Sequence, residues 1–91
     1  MIETFKHKGL KALYENDSKK GVTPHISGKL KYILDLLNAA AVVDDMNYPG
    51  ARLHPWKGGN GVWSVDVSGN WRIIFQFSNG KAYDVDLIDP H

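Results

Sequence analysis

The 91-residue sequence contains no cysteine, so it has no disulfides and no thiolate ligands, and thiol catalysis is excluded. No run approaches the roughly 18 to 20 consecutive apolar residues of a membrane span. The opening Met1-Ile2-Glu3-Thr4 lacks the apolar stretch of a signal peptide. A soluble, cytoplasmic protein with no membrane partner is expected. The glycine fingerprints of phosphate-cradling and dinucleotide-binding loops are also missing, because Gly58-Gly59-Asn60-Gly61 does not stand between a strand and a helix. Repeats and low-complexity tracts are absent. A chain this short holds one domain, residues 1–91, and must build its core on packing alone, around three tryptophans and three phenylalanines.

Net charge is also small, at +1, but it is unevenly distributed. Lys6, Lys8, Lys11, Lys19, Lys20, Lys29 and Lys31 crowd the first part of the chain, and Asp84, Asp86 and Asp89 crowd the end. Taken singly, each lysine reads as the solvated outer face of a helix. As a group they read equally as a phosphate-tracking surface, whose affinity for nucleic acid would fall steeply with salt.

Apolar spacing predicts a short strand over residues 2–5 and a helix over 7–16, carrying Leu10, Leu13 and Tyr14 on one face. After a polar break, Thr23-Pro24 has the form of a helix N-cap followed by proline at the first helical position. Ile26, Leu30, Ile33, Leu34 and Leu37 then form one stripe, and Ala39-Ala40-Ala41 can extend the helix. The two helices should pack as a hairpin. A loop over 44–50 leads to β structure: a strand over 51–54, another over 62–67, a turn at Ser68-Gly69-Asn70 and a strand over 71–77. The strand over 71–77 places Trp71, Ile73, Phe75 and Phe77 on one side and Arg72, Ile74 and Gln76 on the other. Asn79-Gly80 signals a tight hairpin into a last strand over 82–88, with Tyr83, Val85 and Leu87 inward and Asp84 and Asp86 outward. The expectation is an α+β domain with two N-terminal helices packed on one face of a small, mainly antiparallel, twisted sheet.

RNA can be cut without a metal when a base takes the 2′-hydroxyl proton, a cation stabilises the phosphorane and an acid protonates the leaving 5′-oxygen. His54, Lys57, Arg72 and His91 supply suitable groups. Histidine titrates nearest neutrality, so either His54 or His91 fits the acid or the base. Arg72 offers a planar fork for phosphate and Lys57 a mobile point charge in a glycine-flanked loop. Trp56 suits stacking on an exposed base. The plain structural alternatives are a loop-end His54, a frayed His91, a core or interface Trp56, and an Arg72 paired with Asp84 or Asp86 across the hairpin. A metal held by His54, Asp84, Asp86, Asp89 and His91 is the competing chemistry. These residues lack the spacing of a ligand motif, so no metal or other cofactor is expected. His7 and His25 stand at helix starts and read as surface residues.

Along essentially its full length the chain resembles HigB-type toxins of the RelE/ParE superfamily. The resemblance is carried by the opening Met1 to Leu10, by Leu53-His54-Pro55-Trp56-Lys57-Gly58, by Trp63-Ser64-Val65, by Asn70-Trp71-Arg72-Ile73-Ile74-Phe75-Gln76-Phe77, and by Asp89-Pro90-His91. It implies the toxin of a type II toxin-antitoxin pair, a RelE-like fold, and a ribosome-dependent endoribonuclease that cuts mRNA in the 30S A site with the 2′-hydroxyl as nucleophile. The site it implies is His54, Lys57, Arg72, Asp89 and His91, with RNA contacts from Trp56 and the basic residues Lys6, Lys8, Lys11, Lys19 and Lys20. It also implies a small helix-turn-helix antitoxin (HigA-like) that carries the toxin to operator DNA as a complex. Two positions depart from the family pattern. Pro90 stands where the family has an aromatic residue, and Asp66 and Ser68 stand where it carries a second arginine. A ParE-like poison of DNA gyrase and a non-toxic antitoxin-binding module are the alternatives on the same fold.

Overall fold

In a computed structural model, which describes residues 1–57 and 59–89, two helices precede a four-stranded antiparallel sheet. Helix α1 (Lys8–Asn16) is joined through a 3₁₀ turn (Pro24–Ile26) to α2 (Ser27–Ala39), and a second 3₁₀ turn (Val43–Met46) leads toward the sheet. The strands are β1 (His54–Pro55), β2 (Val62–Ser68), β3 (Trp71–Ser78) and β4 (Lys81–Ile88), adjacent in chain order. None of the helices is long and apolar enough to cross a membrane among the described residues.

The expected apolar stripes form one buried cluster. Leu10 and Leu13 of α1 and Leu30, Ile33, Leu34 and Leu37 of α2 meet Val65, Val67, Ile73, Phe75, Val85 and Leu87 of the sheet. Alternation along β3 is as read, with Ile73 and Phe75 fully buried in that cluster and Gln76 exposed on the other side. Asn79 and Gly80 both take positive φ, +53° and +75°, as the two central residues of a twist-matched hairpin turn require.

Helix ends are set by local chemistry. His7 is half-buried and works as the N-cap of α1, its Nδ1 accepting from the Leu10 amide at 3.1 Å, so it is a structural residue. Asp17 closes α1 in the left-handed region while its amide donates to Leu13, and its carboxylate binds Lys31 of α2 at 2.8 Å. That ion pair holds the Asp17 carboxyl below its ordinary range. Thr23 precedes the proline as expected but makes no side-chain cap, because Pro24 starts a 3₁₀ turn before α2 begins at Ser27.

Four local expectations are corrected. The 2–5 segment forms only isolated parallel bridges, Ile2 to Ala82 and Phe5 to Val85. They are isolated because β4 carries an extra residue between them: Ile74 pairs with Asp86 but Gln76 with Tyr83, and Asp84 adopts φ +53°. That bulge also reverses the alternation, so Ala82 and Val85 are buried and Tyr83 is half-exposed on the other face. The strand expected over 51–54 shrinks to His54–Pro55, because Arg52 at φ +49° breaks it. Helix α2 stops at Ala39, with Ala40 extended and buried.

Gly9 fixes the angle between the first helix and the connection that follows it. A β-carbon built there would lie 2.2 Å from the Gly21 carbonyl oxygen, a backbone atom that cannot swing aside. Gly9→Ala should therefore destabilise the fold by about 1–3 kcal/mol, read as a lower urea midpoint with unchanged slope.

Candidate active site

The register of the sheet gathers the candidate residues on the face that the helices leave uncovered. His54 lies opposite Ser64, Ser64 opposite Ile74, and Ile74 opposite Asp86, so one row crosses all four strands. The neighbouring row is Asp66, Arg72 and Ile88. Trp56 follows His54 by two residues, and its amide donates to Val62 at 2.9 Å. Its indole helps line a groove of about 220 Å³ together with Lys6, Ile74, Gln76, Asp84, Asp86 and Ile88.

His54 is exposed, and its Nδ1 lies 2.6 Å from the Arg52 carbonyl oxygen. A carbonyl can only accept, so in the neutral ring this contact favours the proton on Nδ1, with Nε2 as the acceptor. The imidazole stands 6.4 Å from the Trp56 ring, and the Lys57 ammonium lies 5.6 Å from the same indole centroid. A cation over an indole face is held by the ring quadrupole. The Trp56 ring is thus the common neighbour of an imidazole and a point charge.

Arg72 is anchored. Its Nε donates to Asp66 Oδ1 at 3.0 Å, and its Nη1 donates to the carbonyls of Gly69 at 3.0 Å and Trp71 at 3.1 Å. The partner expected for such pairing is Asp84 or Asp86, but a register shift in β2 between Asp66 and Ser68 puts Asp66 opposite Arg72. Both side chains are mostly shielded, 19% and 17% exposed. Among the described residues these contacts use Nε and Nη1, and the planar fork of a guanidinium suits a phosphate. Asp66 also faces Arg52, whose Nε lies 3.6 Å from Oδ2, and its carbonyl accepts the Tyr48 hydroxyl. Burial pushes the Tyr48 phenol well above its usual range, so it remains a donor.

The other expected residues fall in two places. Asp89 is exposed and follows Ile88, the register partner of Arg72, so the end of β4 reaches the arginine. His91 and Pro90 lie outside the described residues, as does Gly58. Lys6 lines the groove, whereas Lys8, Lys11 and Lys19 are exposed on α1 and the connection beyond it. Lys20 borders a second depression with Trp71 and Leu87, which brings that connection to the arginine end of the sheet. Sequence reasoning missed Asp66, Arg52 and Ser64 as parts of the site. Counting pairs back from Ser68 and Trp71 would have placed Val67 opposite Arg72; an extra residue in β2 between Asp66 and Ser68 brings Asp66 there instead. Ser64 is fully buried beside His54, and its hydroxyl is the one buried side-chain polar group without a partner among the described residues.

Such a face can present a basic nitrogen, two cations and a stacking surface to a phosphodiester. Asp66→Asn should lower stability by about 1–2 kcal/mol, since it weakens a charge-assisted anchor of Arg72. It should also steepen the salt dependence of RNA binding by freeing positive charge, measured by fluorescence anisotropy across a salt series.

Comparison with known proteins identifies the family. The family model for the RelE-like toxin HigB of type II toxin-antitoxin systems matches residues 3–91. An endoribonuclease HigB from Proteus vulgaris is 41% identical over 92 residues, aligned along the whole of both chains.

Proposed function

This chain belongs to the HigB-like family of RelE-like toxins of type II toxin-antitoxin systems, and from that premise we propose that it is a ribosome-dependent mRNA endoribonuclease. The observation that carries the reading is His54, whose Nδ1 meets the Arg52 carbonyl so that in the neutral ring Nε2 is the acceptor, on the same face as Arg72 and sharing the Trp56 ring with Lys57. That the Proteus vulgaris relative is an endoribonuclease supports it.

In this account the uncovered face receives the mRNA at the A site of the 30S subunit. Nε2 of His54 removes the proton from a 2′-hydroxyl, whose oxygen bonds to the adjacent phosphorus. The Lys57 ammonium and the Nη2 of Arg72 bind the phosphorane oxygens as charge builds on them. The bond from phosphorus to the 5′-oxygen then breaks, and His91, oriented by Asp89, gives that oxygen its proton. The products are a cyclic phosphate and a 5′-hydroxyl, and no metal enters the scheme. Trp56 stacks on a base of the codon, taking the role that Pro90 cannot fill. Lys6, Lys8, Lys11, Lys19 and Lys20 follow the phosphates of mRNA and ribosomal RNA.

The site is silenced in the cytoplasm by a cognate antitoxin, which we take to be a small helix-turn-helix protein that brings the pair to operator DNA. Primer extension on a defined message in reconstituted translation tests the activity. Wild type should cut within codons only when ribosomes are present, and His54→Ala should cut about 10²–10⁴-fold more slowly. Intact mRNA with accumulating gyrase-linked DNA breaks would replace the reading with gyrase poisoning.

A further inference from the structure

We propose that Arg52 is a positioning residue that selects the reactive nitrogen of His54, and that it acts through its backbone conformation. This rests on the reading of His54 as the proton-transfer group. Arg52 has φ +49°, a left-handed conformation that costs a non-glycine residue free energy and is found repeatedly at functional sites.

The neighbouring structure accounts for its persistence. Ala51 is fully buried, its amide donates to Tyr48 at 2.9 Å, and its carbonyl accepts from the Asp66 amide at 2.7 Å. Asp66 also accepts the Tyr48 hydroxyl on its carbonyl and faces the Arg52 guanidinium with its carboxylate. One residue of β2 therefore straps residues 48–52 to the sheet by its amide, its carbonyl and its side chain. With Ala51 fixed, the left-handed step at Arg52 brings its carbonyl to 2.6 Å from His54 Nδ1.

This bond has a chemical consequence that charge alone cannot supply. A free histidine side chain favours the Nε2–H tautomer, in which Nε2 cannot take a proton. A carbonyl acceptor at Nδ1 reverses that preference. The charged groups that share this face are Lys57 on the same loop, Asp66 and Arg72 in the adjoining row, and Asp86 at the far end of the row of His54. Such charges do not tell one ring nitrogen from the other, whereas the Arg52 carbonyl at Nδ1 does. The guanidinium is 78% exposed and 3.6 Å from its partner, so its own pull is weak.

The test is long-range ¹⁵N NMR of the His54 ring in wild type, Arg52→Gly and Arg52→Val, paired with single-turnover cleavage on programmed ribosomes. Wild type should show protonated Nδ1. Glycine adopts the left-handed region freely, so Arg52→Gly should keep that signature. A β-branched residue is excluded from it, so Arg52→Val should switch to Nε2–H and cleave at least 10-fold more slowly. An Nε2–H wild type, a folded Arg52→Val that keeps Nδ1–H, or an Arg52→Gly that loses it would each overturn the proposal. A tautomer switch in Arg52→Val with undiminished cleavage would uphold the positioning of His54 and instead remove His54 from the proposed chemistry.

Discussion

The packing of Val65, Val67, Ile73, Phe75, Val85 and Leu87 against the stripe of Leu30, Ile33, Leu34 and Leu37 is the interaction on which the rest of the structure depends. It commits both helices to one side of the sheet. With only two helices, a chain of this size covers one face and leaves the other to whatever else the strands carry. The alternation that buries Ile73 and Phe75 therefore necessarily turns Arg72, Ile74 and Gln76 outward, and the register then aligns His54 with them. Core and candidate site are two consequences of a single periodicity.

Rigidity on the uncovered face comes from backbone features that interrupt that periodicity. The bulge at Asp84 is braced by the amino-terminal segment, with Thr4 Oγ1 accepting from the Asp84 amide at 2.8 Å and the Thr4 carbonyl accepting from the Val85 amide at 3.2 Å. At the opposite edge, Asp66 binds two arginines and a tyrosine-bearing loop. Left-handed Arg52 and Lys57 bracket the short β1 and end the strand on either side of His54 and Pro55. Positions of this kind store strain that the surrounding hydrogen bonds sustain, and here they lie next to the groups assigned to the chemistry.

The helical stripe, the burial of Ile73 and Phe75 and the Asn79-Gly80 hairpin were all legible in the sequence, because each expresses a local periodicity or a local φ requirement. What escaped was set by distant backbone. Tyr83 looks inward by simple alternation, but an extra residue in β4, bonded to Thr4 some 80 positions away, turns it out. Arg72 has three aspartates within reach by strand logic, and only the pairing register identifies Asp66. His54, Lys57 and Arg72 were chosen by residue chemistry and by family resemblance; that His54 and Arg72 share one face follows from strand pairing, and Lys57 is tied to them only through the Trp56 ring. Arg52 passed unnoticed because its contribution lies in a carbonyl and a backbone angle, which residue identity does not reveal.

The central claim is that the uncovered face delivers a base to a 2′-hydroxyl of ribosome-bound mRNA. It is tested most directly by programming ribosomes with a message that carries a single 2′-deoxynucleotide on the 5′ side of the scissile phosphate. Cleavage at that phosphate should disappear while neighbouring sites in the same message are still cut. Undiminished cleavage at the deoxy position would contradict it, since water or a metal-bound hydroxide would then have to be the nucleophile, and His54 would lose its assigned substrate atom.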